Sequence, residues 1–266
     1  MKTHIPSAIL VSWLFLSTLL VQASYSAQRE EPEIKVQNTF SDDSRMDADS
    51  NLFPARAVGK LISPSGSYCT ATLVSQDLIL TAAHCIMSNG ALVTGNYVFQ
   101  VGLNAGKAAG SSGTSQAWWG TADPDHDRQN DWALMRLTQS LGLTYGWLGV
   151  TGIDLNQELG QQNFELIAYS LDWRGGNTPS DEPHCQFSGA QEGFFLHNCD
   201  TTPGASGGAM FFTDKTRTPH IVAINVAEFS PAGAPLKGVP YSAATANIAV
   251  SAQKFLPTLR SILNLP

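Results

Sequence analysis

The segment Leu78-Ile79-Leu80-Thr81-Ala82-Ala83-His84-Cys85 joins a short apolar run directly to a histidine and a cysteine. An apolar run of this length, bounded by turn signals, is typical of a buried strand. A histidine at the end of such a strand is held rigidly, as a general base must be if it is to reach the proton that it removes. A buried structural histidine is the competing interpretation, and this segment alone does not decide between the two.

A second segment, Asn130-Asp131-Trp132-Ala133-Leu134-Met135-Arg136-Leu137, places one carboxylate at the start of a strongly apolar strand. A partly buried aspartate needs a partner. The N–H of a histidine is a suitable one, and the pairing also fixes the imidazole tautomer. Because an aspartate in a turn before a strand is common, this segment becomes informative only in combination with the first.

A third segment, Thr202-Pro203-Gly204-Ala205-Ser206-Gly207-Gly208-Ala209-Met210, flanks a serine with glycines. Glycine permits a tight bend and a close approach of the backbone to a ligand. The N–H groups of Gly204 and Ser206 would then point at one spot, as in an oxyanion hole, where one donor is worth roughly 3–4 kcal/mol of transition-state stabilisation. A glycine- and serine-rich turn without a function is the alternative.

Together the three segments resemble the motifs of chymotrypsin-like serine proteases, in that family's chain order of histidine, aspartate and serine. The resemblance implies that His84 is the general base, that Asp131 orients it, and that Ser206 attacks the carbonyl carbon. It also implies that Gly204 and Ser206 N–H groups form the oxyanion hole. The expected enzyme is a serine endopeptidase that acts on a polypeptide substrate as a monomer, without a cofactor or metal.

Two other functions compete with this one. The residues Gly204 to Gly208 also satisfy the G-x-S-x-G motif of α/β-hydrolases, but those enzymes carry the acid and the histidine after the serine. Here only His220 follows Ser206, too soon for the strands and helices that should intervene. The second alternative is a non-catalytic binding or adhesion protein on a protease scaffold. Such proteins usually lose a triad residue, whereas this chain retains all three.

Departures from trypsin indicate a particular branch of the family. Ala205 stands where trypsin-like zymogens carry the aspartate that pairs with a new N-terminus, so that activation switch cannot operate. The segments Ser41–Arg45 and Asp200–Gly204 resemble the glutamyl-endopeptidase branch, which implies a preference for acidic residues before the scissile bond.

By the same resemblance, Thr201 and Asn225 are substrate-binding residues. Asn225 replaces a histidine of that branch, and asparagine donates a hydrogen bond without carrying charge, which weakens the inference of glutamyl specificity. Asp200 stands where trypsin carries its specificity aspartate. The cysteine spacing around it differs from that of trypsin, so we expect Asp200 to have a structural or turn role.

The four cysteines, Cys69, Cys85, Cys185 and Cys199, allow three connectivities. Their spacing favours the local disulfides Cys69–Cys85 and Cys185–Cys199. Each would close a loop of about 15 residues, worth roughly 3 kcal/mol in the chain-entropy model. No Cys-x-x-Cys spacing supports a metal site.

The N-terminal residues predict export. Residues 1–23 resemble a signal peptide, with Lys2, the apolar run Ile9–Val21 and a small-residue cleavage site at Ala23. We therefore expect a secreted protein, extracellular or periplasmic, with no membrane association after signal removal. Residues 24–45 are polar and are expected to form a propeptide or flexible lead-in.

Residues 46–266 are expected to form the protease domain. Two series of about six short strands predict an all-β fold of two six-stranded antiparallel Greek-key β-barrels of the chymotrypsin type. The barrels are expected at about 53–145 and 150–250, and a C-terminal helix at about 252–264. The stretch 104–114 is rich in glycine, alanine and serine, which predicts a surface loop. A net charge of −7, with no basic patch, excludes a nucleic-acid partner.

Overall fold

The computed structural model describes residue 1 and residues 38–161, 164–191, 193–228 and 236–265. The expected signal peptide, apart from residue 1, and the expected lead-in as far as residue 37 lie outside the described residues. Residues 34–266 form one unit and residues 1–33 another. None of the helices in the described ranges is both long enough and apolar enough to cross a membrane.

Short strands dominate the described chain. The strands of its first part are β1 (Thr39–Phe40), β2 (Met46–Asp47), β3 (Val58–Ile62), β4 (Tyr68–Leu73), β5 (Leu78–Thr81), β6 (Met87–Ser88), β7 (Ala91–Leu92), β8 (Val98–Val101), β9 (Gly110–Trp119) and β10 (Ala133–Leu137). Those of its second part are β11 (Gly149–Val150), β12 (Phe164–Ala168), β13 (Ser180–Cys185), β14 (Phe187–Gln191), β15 (Phe194–His197), β16 (Ala209–Thr213), β17 (Pro219–Glu228), β18 (Lys237–Val239) and β19 (Asn247–Ser251).

The α-helices of the described residues are α1 (Gly142–Tyr145), α2 (Leu155–Glu158) and α3 (Ala252–Leu263), and short 3-10 turns cover Ala55–Ala57, Ala83–Cys85, Arg128–Asn130 and Arg174–Gly176. The longest helix of the described chain, α3, is capped by Ser251, whose hydroxyl accepts a hydrogen bond from Gln253 N–H at 3.3 Å, a typical N-cap contact. Phe255 and Leu259 are buried on its inner face. The predicted C-terminal helix is therefore present.

Six strands of the first half close into a barrel in the order β10-β5-β4-β3-β8-β9, with β9 pairing back to β10. Fully buried Leu73, Leu78, Ile79, Leu80 and Phe99 belong to its core. Burying side chains of this size stabilises a fold by about 1.5–3 kcal/mol each. These are the apolar runs that predicted strands, so the sequence pattern and the core agree.

The expectation of a surface loop at 104–114 is wrong over its second part. Gly110–Trp119 is a ten-residue strand, β9, that pairs with both β8 and β10. Glycine and serine have low strand propensity, but without β9 the barrel would expose the edges of two strands. Hydrogen bonding on both sides therefore overrides the local preference.

The second half forms an antiparallel sheet in the order β14-β15-β19-β17-β16-β12-β13-β2, with β11 pairing in parallel with β17. Among the described residues the two outer strands, β14 and β2, do not pair with each other. This sheet is therefore a half-barrel that faces the closed barrel of the first half. The all-β, two-barrel fold predicted from the sequence is thereby confirmed.

Regular structure begins before residue 53, the expected start of the first barrel, and already within the expected lead-in of residues 24–45. Strand β1 pairs with β18, and β2 pairs with β13 at the edge of the sheet. Asn38 is fully buried, donates its backbone N–H to Asn247 Oδ1 at 3.2 Å and accepts from Thr201 N–H at 3.2 Å. We call residues 38–47 the N-terminal arm. The polar composition of the arm gave no apolar pattern from which these contacts could be predicted, because the arm is held by hydrogen bonds more than by apolar burial.

Candidate active site

His84 and Asp131 meet because their strands pair. His84 follows β5 and Asp131 precedes β10, and these strands are antiparallel with Thr81 opposite Ala133. The two side chains therefore lie at the same end of the pair. Asp131 Oδ2 lies 2.7 Å from His84 Nδ1, and Asp131 Oδ1 accepts from the backbone N–H of His84 at 2.9 Å.

This double contact fixes the orientation of the imidazole. Asp131 is 3% exposed and His84 is partly exposed, so the carboxylate is buried behind the ring. An ionised carboxylate only accepts hydrogen bonds, so His84 Nδ1 carries the proton and Nε2 is left as an acceptor. Such a pair can take a proton from a hydroxyl group.

Ser206 lies in a turn that only glycine can make on either side. Gly204 has φ +96° and Gly207 has φ +80°, which favour glycine. A Cβ at Gly204 would lie 2.5 Å from the carbonyl oxygen of Tyr169, and one at Gly207 would lie 2.3 Å from Thr81 Oγ1. The glycines of the sequence motif are therefore required by both conformation and space.

Strand β4 connects this turn to the first barrel. Thr70 N–H donates to Ser206 O at 2.9 Å, and Thr70 Oγ1 donates to Gly204 O at 2.7 Å. The same hydroxyl accepts from Tyr169 N–H at 2.9 Å. Sequence reasoning missed Thr70, because one threonine in a strand carries no signal of a contact with a loop more than 130 residues away.

His84, Asp131 and Ser206 line one cavity of about 60 Å³ between the two halves. Asp125, Arg128 and Glu228 also line it. The three residues that the sequence singled out are thus brought together. A serine beside a carboxylate-oriented imidazole is an arrangement suited to nucleophilic catalysis.

The sequence model of the trypsin family, described as "Trypsin", matches residues 44–246, well over half of the chain. The chain belongs to the trypsin family. This confirms the resemblance inferred from the motifs, and the enzyme class that goes with it is a chymotrypsin-like serine endopeptidase.

Solved structures resemble this trypsin-family chain in fold. A glutamyl endopeptidase in complex with MPD is 20% identical with a TM-score of 0.67, covering 84% of this chain and 99% of that one. Protease Anisep from Arthrobacter nicotinovorans is 15% identical with a TM-score of 0.59, and the match covers 78% of this chain and 93% of that one. The thermostable serine protease AL20, from an extremophilic microorganism, is 18% identical with a TM-score of 0.58, and the match covers 77% of this chain and 97% of that one. No curated protein matches the sequence significantly.

In this trypsin-family protein Asp200 contacts the N-terminal arm. Its side chain is buried, and its two carboxylate oxygens accept from the backbone N–H groups of Phe40 at 2.5 Å and Ser44 at 3.4 Å. These contacts agree with a structural role for Asp200.

The two predicted substrate-binding residues have different surroundings. Thr201 is fully buried, and its hydroxyl has no hydrogen-bond partner among the described residues. Asn225 is also fully buried, but its Oδ1 lies 3.1 Å from His197 Nε2 and its Nδ2 donates to Ala205 O at 3.3 Å. Asn225 therefore links a histidine to the residue before Ser206.

His197 is neutral in this network. Burial lowers the pKa of His197 to about 3, and its Nδ1 accepts from Cys199 N–H at 3.2 Å. Nε2 therefore carries the proton and donates to Asn225. Sequence reasoning assigned no role to His197. Its position at the end of strand β15 was the available signal.

Both disulfides favoured by the cysteine spacing are present. Cys69–Cys85 joins β4 to the turn that carries His84, and Cys185–Cys199 joins β13 to the loop before Ser206. The described residues contain no free cysteine. Each disulfide thus anchors a segment that leads into the site.

Proposed function

We propose that this trypsin-family chain is a secreted serine endopeptidase that uses His84, Asp131 and Ser206 as its catalytic triad. The proposal is supported mainly by the shared cavity that these three residues line and by the carboxylate contact that leaves His84 Nε2 as an acceptor. The two disulfides suit an oxidising, extracellular or periplasmic compartment.

The proposed reaction proceeds in two steps through an acyl-enzyme. His84 Nε2 removes the proton from Ser206 Oγ as the oxygen attacks the carbonyl carbon of the peptide bond. His84 then protonates the leaving amine as the C–N bond breaks. A water molecule next attacks the acyl carbon, giving its proton to His84, and Ser206 regains its proton as the acid product leaves.

The backbone N–H groups of Gly204 and Ser206 are proposed to hold the negative oxygen that develops in both steps. The positive φ of Gly204 supports this assignment, because it sets the peptide unit that carries the Gly204 N–H at an angle to the following unit that an ordinary strand does not allow. Loss of one such donor costs about 10²–10³ in kcat in serine proteases.

For specificity we propose a preference for acidic residues before the scissile bond. The position of Thr201 in the segment Asp200–Gly204, which resembles the glutamyl-endopeptidase branch, supports it, and its buried hydroxyl would gain a partner if a substrate carboxylate reached it. Asp200 faces the arm, which argues against the Arg/Lys preference that an aspartate in the pocket produces. The resemblance to a solved glutamyl endopeptidase adds support.

The triad is tested with a fluorophosphonate probe and the variant Ser206→Ala. We expect stoichiometric labelling of the wild type at Ser206, and none in Ser206→Ala together with a fall in kcat of at least about 10⁴. Ser65→Ala, in an exposed turn, serves as the control and should keep both the labelling at Ser206 and the wild-type kcat. Folded wild-type protein that resists labelling would instead favour the non-catalytic binding or adhesion protein.

Specificity is tested by profiling the cleavage sites in a denatured protein mixture. Enrichment of Glu and Asp before the cleaved bond is the expected result. A clear preference for Arg and Lys would contradict the proposal and would place Asp200 in the pocket during catalysis.

A further inference from the structure

Three carboxylates from separate parts of the chain converge beside the loop that leads to Ser206. Asp43 on the N-terminal arm, Glu182 on β13 and Asp200 each present an oxygen, and these oxygens lie within 4.8 Å of one another. Oxygens that share one Ca²⁺ at about 2.4 Å cannot lie more than about 4.8 Å apart. The spacing therefore suits a single ion.

The charges of this cluster are poorly balanced within the described residues. The guanidinium of Arg45 lies 2.7 Å from Asp43 and 2.9 Å from Asp172, so one positive charge already faces two carboxylates. Glu182 and Asp200 are 4% and 3% exposed, and neither has a cationic side chain within ion-pair distance in the described part. Two buried carboxylates are thus left without a direct counter-charge.

A buried oxygen of Glu182 also lacks a partner. Glu182 Oε1 accepts from the hydroxyl of Ser44, whereas Oε2 is buried and makes no hydrogen bond to any described residue. Burying a polar atom in this way is costly unless it is paired. A bound cation would supply the pair, and so would a proton on the carboxyl group.

We propose that Asp43, Glu182 and Asp200 bind a divalent cation of the Ca²⁺ type. All three ligands are hard oxygen donors, which argues against zinc and for calcium or magnesium. Carboxylates from an arm, a strand and a loop suit the irregular coordination of Ca²⁺ better than the strict octahedron of Mg²⁺. Asp43 lies at the surface, so water can complete the coordination shell.

The proposed ion fastens the N-terminal arm to the body of the protein. Asp200 already accepts from the backbone of Phe40 and Ser44, and the ion adds a second link through Asp43. It also neutralises the loop that continues from Asp200 to Ser206. The sequence predicted no metal because Asp43 lies more than 130 residues before Glu182 and Asp200, and the three ligands form no local motif.

Thermal unfolding of the purified chain at pH 8, in EDTA and in Ca²⁺, tests the site. Extracellular sites have dissociation constants of roughly 10⁻⁴–10⁻³ M, so a Ca²⁺ concentration of about 10 mM should saturate it. We expect Ca²⁺ to raise Tm by about 2–5 °C, and calorimetric titration to give one ion per chain. A Tm that is the same in EDTA and in Ca²⁺ overturns the proposal.

Glu182→Gln should weaken Ca²⁺ binding at least tenfold, which lowers the Tm response at about 10 mM Ca²⁺ by about half or more. Glu165→Gln changes a partly buried carboxyl on β12 outside the cluster, so it is the matched control and should keep the response. If Glu182→Gln does not fold, the surface variant Asp43→Asn takes its place. A Ca²⁺ response that is undiminished in the cluster variant also overturns the proposal, because the ion then binds elsewhere.

Discussion

At the scale of single residues, Thr201 combines complete burial with a hydroxyl that has no partner in the described structure. We expect Thr201→Val to leave the free energy of unfolding unchanged or slightly raised, since it removes an unsatisfied polar atom. If the hydroxyl binds the acidic side chain of the substrate, kcat/KM for cleavage after Glu should fall about 10–100-fold.

Substrates with an apolar residue at the same position provide the control for this variant, because they offer no acceptor to the hydroxyl. Their kcat/KM should not change. Equal losses of kcat/KM on both substrate classes, measured with matched fluorogenic peptides, would show that Thr201 supports the loop and does not bind the side chain of the substrate.

At the scale of elements, β4 carries the contact between the first barrel and the serine turn. Thr70→Val should lower the free energy of unfolding by about 2–4 kcal/mol, because it removes two hydrogen bonds and leaves the Gly204 carbonyl and the Tyr169 N–H unpaired. It should also lower kcat, since the turn before Ser206 loses its support. Urea unfolding and steady-state kinetics measure the two effects.

Thr72→Val on the same strand is the matched control. Thr72 is fully buried like Thr70, but its hydroxyl has no partner among the described residues. We expect its unfolding free energy to change by less than about 0.5 kcal/mol or to rise, with kcat unchanged. Equal destabilisation by the two variants would mean that packing, and not the hydrogen bonds of Thr70, determines the effect.

Strand β12 should produce a pH-dependent stability through Glu165. Burial, and then the nearby carboxylate of Asp181, raise the pKa of Glu165 to about 7 from an ordinary value of 4.5. Between these pH values the folded state holds a proton that the unfolded state has released, so stability from this group falls as pH rises and is lowest above pH 7.

Glu165→Gln removes this titration. The free energy of unfolding of the variant should match that of the wild type near pH 4 and exceed it at pH 8 by about 1 kcal/mol. This value is reduced for solvent screening, because Glu165 is only partly buried. Urea unfolding at the two pH values measures it. If the free energies of unfolding of variant and wild type differ by the same amount at pH 4 and pH 8, the titration of Glu165 is not the source of the pH-dependent stability.

At the scale of the whole molecule, the N-terminal arm is integral to the folded body. We expect a chain that starts at Val36 to fold, and one that starts at Ala48 to lose several degrees in Tm. The shorter chain lacks the contacts of Asn38 with Asn247 and Thr201 and of the arm with Asp200. Thermal unfolding of the two truncated chains compares them directly, and equal Tm values would contradict a structural role for the arm.

Much of the site could be predicted from the sequence, because its signals are local. An apolar run before His84, one after Asp131 and glycines around Ser206 are each contained within nine residues. The short apolar runs that fill the first barrel indicated the all-β class in the same way. Such signals arise wherever burial or backbone conformation restricts neighbouring residues directly.

Tertiary structure alone determined the features that depend on distant partners. Strand β9 forms despite its glycines and serines because β8 and β10 both pair with it. Thr70 supports the serine turn, Asn225 links His197 to Ala205, and Asp200 faces the arm only because the fold brings these segments together. Hydrogen bonds of this kind leave no periodic pattern in the chain, so the sequence identified the reacting groups while the packing of the two halves determined what surrounds them.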